Sequence, residues 1–222
     1  GGEPFSVYHF LPLAHGLARD VQMVVLARGG TLIYWRRDSQ LILRDLAETK
    51  PHYFPSVPRV FEKAHARITA QAEERTPRGL LLRWALATGA EMRKAERAGG
   101  AGPLLRLRYA LADRLALAKI RQLFGGNLRY ALTGAASIAL DVLELFEACG
   151  IPVLEGYGLS ESCAAATLNV PGATRLGTVG RALEGVEVKI ADDGEILIKG
   201  PNVFRGYYRD EEATREALTD DG

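Results

Sequence analysis

The densest chemistry in the sequence is Glu155-Gly156-Tyr157-Gly158-Leu159-Ser160-Glu161, which follows directly on an apolar run at 151–154. Two glycines around an aromatic ring let backbone approach a ligand closely while the ring offers a flat apolar face. The Ser160 hydroxyl suits a phosphate oxygen, and the Glu161 carboxylate suits a hard divalent cation. Strand ends at a topological switch point are where open α/β sheets bind ligands. The same residues describe equally well a glycine-rich turn with Tyr157 packed on the sheet and Glu161 in water. A second turn, Thr133-Gly134-Ala135-Ala136-Ser137, ends the preceding strand candidate. If the two strands are neighbours, its small residues leave a slot for a planar base; taken alone it suits close strand–helix packing. Cys149 and Cys163 have no histidine at a spacing that would make either a nucleophile, so both read as small buried hydrophobes.

The elements that must hold these turns follow from the hydrophobic pattern. Residues 5–19 read as a buried turn and helix, and 21–26 and 31–35 as β-rich runs either side of Gly29-Gly30. Asp38 or Ser39 can cap a short helix carrying Leu41, Ile42 and Leu46, and 52–54 is a strand candidate between prolines. Val57, Val60, Phe61, Ala64 and Ile68 recur at helical spacing. Thr76-Pro77 starts a second helix with Leu80, Leu81, Trp84, Thr88, Met92 and Ala95 on one face. A third runs from Pro103 to just before Gly125-Gly126, and its Arg106, Arg108, Arg114, Lys119 and Arg121 read as a solvated face. Alternation at 128–132 marks a strand, Ser137 a cap for the helix carrying Leu140, Leu143 and Phe146, and 151–154 a buried strand. Alternating runs at 186–190 and 195–199 meet at Asp193-Gly194, a hairpin signal. The fold class is therefore α/β: a mainly parallel sheet packed by helices, with an antiparallel β region beginning near 185.

Composition excludes several classes. The 222 residues carry 28 basic and 27 acidic side chains, which argues against a nucleic-acid binder. The balance hides a split, since 21 of the basic but only 11 of the acidic residues lie in 1–130. Two cysteines exclude a disulfide scaffold and an all-cysteine zinc site. The apolar stretch at 5–18, interrupted by Pro12, His9 and His15, is neither a signal peptide nor a spanning helix. A start at Gly1 without methionine and an end directly after a regular stretch read as an excerpt of a longer protein.

In combination the motifs are specific. Tyr157-Gly158-Leu159-Ser160-Glu161 resembles the Tyr-Gly-Leu-Thr-Glu core of the adenylate-forming family, with serine replacing threonine and keeping the hydroxyl. Gly134-Ala135-Ala136-Ser137 is similar to that family's upstream Gly-Gly-Ala-Pro/Ser segment. Gly177-Thr178-Val179-Gly180-Arg181, the stretch from Gly194-Glu195-Ile196 to Gly200-Pro201-Asn202, and Arg205-Gly206-Tyr207-Tyr208 resemble later family motifs. Phe10-Leu11-Pro12-Leu13-Ala14-His15 and Pro58-Arg59-Val60-Phe61-Glu62-Lys63 resemble segments of the long-chain fatty acyl-CoA synthetases, and a helical insertion at 76–124 fits that branch.

The resemblance implies the central part of the large N-terminal domain. Residues 1–184 would form its α/β part and 185–222 the start of an antiparallel subdomain. The Lys-ending phosphate loop, the ribose-binding aspartate and the C-terminal domain would lie outside the chain. It implies ATP, Mg²⁺ and CoA, with a fatty acid activated as acyl-AMP and passed to the CoA thiol. Tyr157 would lie against adenine, with Gly134, Ala135 and Ala136 across the slot. Glu155, Gly156, Gly158 and Leu159 complete the cofactor-binding turn, with Ser160 on the α-phosphate and Glu161 on the metal. His15 is placed beside the acyl carboxylate, with a packed core histidine as the alternative. Other readings are an acyl-AMP ligase serving a carrier protein, and a catalytically silent binding or folding module. A cytoplasmic location is implied, with the 76–124 helices as a peripheral membrane or homodimer contact.

Overall fold

The structure, a computed structural model, describes residues 3–219. Short apolar segments form β1 (Ser6–His9), β3 (Tyr53–Ser56), β4 (Tyr130–Thr133) and β5 (Val153–Tyr157), with β2 (Thr31–Tyr34) at the sheet edge. Their order is β2-β1-β3-β4-β5, and every pairing among these five is parallel. Parallel neighbours need long crossovers. Helices α1 (Gly16–Ala27), α2 (Ile42–Thr49) and α7 (Leu140–Ala148) supply three of them. The fourth, between β3 and β4, is a helical layer of α3 (Pro58–Glu73), α4 (Pro77–Arg97), α5 (Pro103–Ala112), a π-helical segment (Asp113–Leu117) and α6 (Ala118–Leu123).

The sheet turns antiparallel at β6 (Thr167–Leu168) and β7 (Arg181–Ala182). This is earlier than the expected 185, because the connection from Tyr157 to Thr167 is too short for a crossover and must return antiparallel. A separate hairpin, β8 (Glu187–Ile190) and β9 (Ile196–Lys199), folds about Asp193-Gly194 as the sequence requires. Helix α8 (Glu211–Ala217) follows, its Ala213 amide capped by Asp210 at 3.0 Å.

The sheet and the helical layer are joined by aromatic packing. Phe54 of β3 meets Phe61 of α3 at 5.9 Å, Phe61 meets Phe146 of α7 at 5.5 Å, and Phe146 meets Phe124 at 5.4 Å. All four rings are fully buried, so each contributes both area and edge-to-face geometry. Beneath them Tyr8 donates to the buried carboxylate of Asp45 at 2.7 Å, and Arg36 pairs with the same carboxylate.

Several local expectations are corrected. Residues 6–9 are strand, not turn, and 21–26 are helix within α1, not a β run. Their β-branched composition favours a strand, but Ala18 and Val25 are buried at helical spacing and the Ala18 carbonyl bonds His9 Nε2 at 2.9 Å. Tertiary packing overrides a propensity worth only tenths of a kcal/mol per residue, about 0.7 at most. Helix α4 buries Gly79, Leu82, Ala85, Thr88 and Gly89 and leaves Leu80 58% exposed. Its buried face is the small-residue side, because Gly89 abuts the Ala148 carbonyl at the end of α7. Thr76 caps α4 as expected, accepting from the Gly79 amide at 3.1 Å. Ser137 does not cap α7, whose entry residue is Ala139, and Asp38 closes a turn on the Gln40 amide ahead of α2. Arg121 is not on a solvated face: it holds Asp113 at 2.6 and 2.8 Å and the Cys149 carbonyl at 3.0 Å.

Candidate active site

Strands β4 and β5 are parallel neighbours with Thr133 opposite Glu155, so their two carboxyl-end turns lie side by side. The approach is close enough that a Cβ on Gly134 would sit 3.2 Å from the Gly156 carbonyl. Ala135 follows with φ 68°, a left-handed backbone that a side chain adopts at a cost of about 1–3 kcal/mol. Ala135 and Ala136 are exposed, and Thr133 Oγ1 just before them is buried without a partner among the described residues.

After β5 the chain makes a tight turn. Gly158 has no alternative, because a Cβ there would collide with the Ala164 carbonyl. Cys163 and Ala164 carry successive positive φ angles of 49° and 85°. Buried Ser162 staples this turn, its Oγ accepting from the Leu159 amide at 2.9 Å and donating to the Leu159 carbonyl at 3.2 Å, a contact no local sequence signal marks. Tyr157 and Gly156 are half-buried, while Leu159 and Ser160 are exposed on the rim. Cys163 is exposed here, contrary to expectation; only Cys149 is buried, and burial pushes its thiol up to about 12.

The two carboxylates differ in surroundings. Glu155 turns back to accept from the Gly177 amide at 3.2 Å, and burial raises its pKa despite that bond. Glu161 accepts from the Tyr207 hydroxyl at 2.6 Å, which lowers its pKa and keeps it ionised. The segment around Tyr207 also grips the turn's backbone: Phe204 N donates to the Glu161 carbonyl at 2.7 Å, and Asn202 Nδ2 to the Ser162 and Ala165 carbonyls at 3.2 and 3.1 Å. Leu159, Glu161, Phe204 and Tyr207 open onto a cavity of about 340 Å³ floored by β9. On the other side, Thr167 Oγ1 donates to the Val179 carbonyl at 2.8 Å, and Asn169 bonds both Thr178 and Arg175. The sequence motifs at 177–181 and 205–208 flagged these segments but not their contacts, and Ser162 and Asn169 carried no signal.

The strand order reverses between β1 and β3, so the switch point lies there and not at β4/β5. The β1–α1 loop nevertheless reaches the same place: a Cβ on Gly16 would meet the Ala164 Cβ at 3.4 Å. His15, next to Gly16, is exposed at the start of α1; the packed core histidine is His9, stacked on Tyr34 at 5.7 Å. Three loops therefore converge at the carboxyl end of the sheet. Chemically they present backbone groups, the exposed hydroxyls of Ser137 and Ser160, and the ionised carboxylate of Glu161. Among the described residues no three His, Cys, Asp or Glu gather to hold a metal. A cation at Glu161 would draw its other ligands from water and a bound anion, which is how Mg²⁺ is usually held.

The fold is thus an α/β domain with a parallel sheet whose adjacent strand ends carry two turns of close backbone approach and an ionised glutamate. The chain belongs to the AMP-binding enzyme family, whose profile matches residues 3–208. It is 39% identical over 211 residues to the long-chain-fatty-acid–CoA ligase FadD15 of Mycobacterium bovis, an alignment covering 95% of this chain and 35% of that protein. Identity to the human long-chain-fatty-acid–CoA ligase 1 is 36% over 229 residues, covering 98% and 32%. The chain thus spans about a third of the length of these curated relatives. In fold it is similar to the o-succinylbenzoate CoA synthetase of Bacillus subtilis solved with ATP and magnesium ion (TM-score 0.62, 20% identity, 99% of this chain and 38% of that one). The N-terminal domain of FACL13 from Mycobacterium tuberculosis is similar to the same degree (TM-score 0.62, 22% identity, 98% and 46%).

Proposed function

We propose that this chain supplies the nucleotide-binding turns of a long-chain fatty-acid–CoA ligase. In that reaction the fatty carboxylate attacks the α-phosphorus of ATP, pyrophosphate leaves, and the CoA thiol then displaces AMP from the acyl-AMP. The observation that carries the reading is the turn after β5, where backbone strain and two flanking segments hold an ionised Glu161 beside the exposed Ser160. Tyr157 offers its ring to adenine against the backbone of Gly134, Ala135 and Ala136. Glu155, tied to Gly177, Gly156, Gly158 and Leu159 shape the turn, and Ser160 donates to the α-phosphate. His15 borders the acyl carboxylate from the β1–α1 loop. The free oxygen of Glu161 fits Mg²⁺, which supplies charge neutralisation between two anionic reactants when bound. Beyond that, the residues orient the reacting groups, so catalysis rests on positioning and electrostatics.

The 185–219 segment is read as the beginning of the antiparallel subdomain, and 76–124 as the helical insertion. Among the described residues no helix is long and apolar enough to cross a membrane. A cytoplasmic protein with peripheral membrane contact is consistent with Leu104, Leu107 and Leu111, which lie exposed along α5 beside Arg106. Palmitate-dependent pyrophosphate release by the complete protein tests the main reading. Glu161→Ala lowers it about 100-fold, and equal rates in the two proteins would overturn the assignment. Acyl-AMP as end product with no use of added CoA would move the protein to the carrier-protein branch. Release by the isolated chain above its Glu161→Ala control would overturn the view that the chain alone is silent.

A further inference from the structure

A second cavity lies away from these turns, between α2, α3, α4 and α6, and shares no residue with them. Its floor is apolar: Leu43 from α2, Ala64 and Ile68 from α3, Leu82 from α4, Ala116 from the π-helical segment and Ile120 from α6. Its volume is about 340 Å³, at the lower end of small-ligand sites. Gln71 is the one side-chain amide in the lining, so an inserted strand or loop would leave most of its backbone polar groups unpaired.

Two further observations give the cavity a direction. The π-helical turn at Asp113–Leu117 adds a residue to the α5–α6 helix at the point where Leu115 and Ala116 meet the cavity, and such insertions occur mostly at functional sites. The rim carries Arg67 from α3, Arg78 from α4 and Lys119 from α6. None of them enters an ion pair among the described residues. Elsewhere in the same layer four arginines are paired, Arg93 with Glu96, Arg97 with Glu147, Arg108 with Glu91 and Arg121 with Asp113, whereas Lys63, Lys94 and Arg114 are in no ion pair among the described residues. The rim is set apart by the convergence of its three cations on one apolar floor. Three unneutralised cations from three helices around an apolar floor complement one kind of ligand, an anionic head on a hydrocarbon chain.

We propose that this interhelical cavity is a second binding site, for a single-chain anionic amphiphile of the long-chain fatty-acid class. The chain lies on the Ile68, Leu82 and Ile120 floor, and the carboxylate is held by Arg67, Arg78 and Lys119. Guanidinium groups suit a carboxylate through paired N–H donors. The proposal stands independently of the nucleotide-site reading.

The test uses the complete protein without ATP and a palmitate analogue carrying a photoreactive diazirine near its methyl end. Labelling is expected on peptides containing Ile68, Leu82 or Ile120, suppressed by palmitate and not by hexadecanol, which lacks the charge. The exposed rim cations can be reversed without disturbing the core, so the triple variant Arg67→Glu, Arg78→Glu, Lys119→Glu keeps its melting temperature while labelling falls about tenfold. Glu161→Ala leaves the labelling unchanged, which separates failure of this site from failure of the nucleotide site. Absence of label from these peptides, equal competition by hexadecanol, or unchanged labelling in the triple variant would overturn the proposal. So would the absence of label combined with phosphatidylglycerol-vesicle binding that the triple variant loses, which would assign the rim to a membrane surface.

Discussion

Glu161 shows how a carboxylate on an exposed rim is kept ionised without a cation beside it. The Tyr207 hydroxyl is the largest cause of its lowered pKa, and Phe204 holds the same residue's backbone. Tyr207→Phe removes that bond and leaves the ring. In the role proposed for it Glu161 acts in its charged form, so as its pKa returns toward the ordinary carboxylate range the acid limb of kcat/KM moves to higher pH. An unmoved acid limb would show that Glu161 does not set it. Glu155 is the opposite case. Burial raises its pKa above the unfolded value, so its ionised form opposes folding above the folded pKa and this effect disappears below the unfolded one. Glu155→Gln keeps an acceptor for the Gly177 amide and does not titrate. Its melting temperature should equal or exceed that of the parent at neutral pH, with the gap closing as pH falls; a lower value at pH 7 would contradict this. The place of these two glutamates in one motif was legible in the sequence. Their different environments were not, since the partners Gly177 and Tyr207 lie 22 and 46 residues further along the chain.

Among the elements, α4 carries the clearest instruction. A glycine inside a helix costs about 1 kcal/mol relative to alanine, yet Gly89 sits in the middle of α4. The compensation is its contact with α7, where a Cβ would run into the Ala148 carbonyl, a backbone atom that cannot swing aside. Gly89→Ala therefore gains about 1 kcal/mol of propensity and loses about 1–3 to overpacking, for a net loss of up to about 2 kcal/mol in urea unfolding. Exposed Ala90→Gly on the same helix loses about 1 kcal/mol through propensity alone. If Gly89→Ala proves stabilising, the α4–α7 approach is looser than described. The pattern of leucines in α4 pointed to a different face, because periodicity counts apolar residues and close helix packing selects small ones. Similarly, 21–26 was legible as apolar but not as helical: short β-branched runs fit both states until a neighbour such as β1 decides.

At the scale of the molecule the two cysteines report how the chain is organised. Cys149 ends α7 in the core, with its thiol pKa pushed up to about 12, whereas Cys163 lies exposed in the strained turn. A coloured disulfide reagent should therefore titrate Cys163 in the native protein and Cys149 only across the unfolding transition. Fast reaction of Cys149 under native conditions would mean that α7 opens locally. The charge split also acquires a physical meaning, since most of the basic excess lies on the helical layer, partly paired and partly gathered around its cavity. By itself the sequence determined the α/β class, the two turns and their order, because glycine placement and strand–helix alternation are local properties of the chain. Only the tertiary structure decided which segments brace the turns, where antiparallel pairing begins, and that His9 rather than His15 is buried. Those outcomes depend on contacts between residues tens of positions apart, and no local pattern records which distant partner will be there.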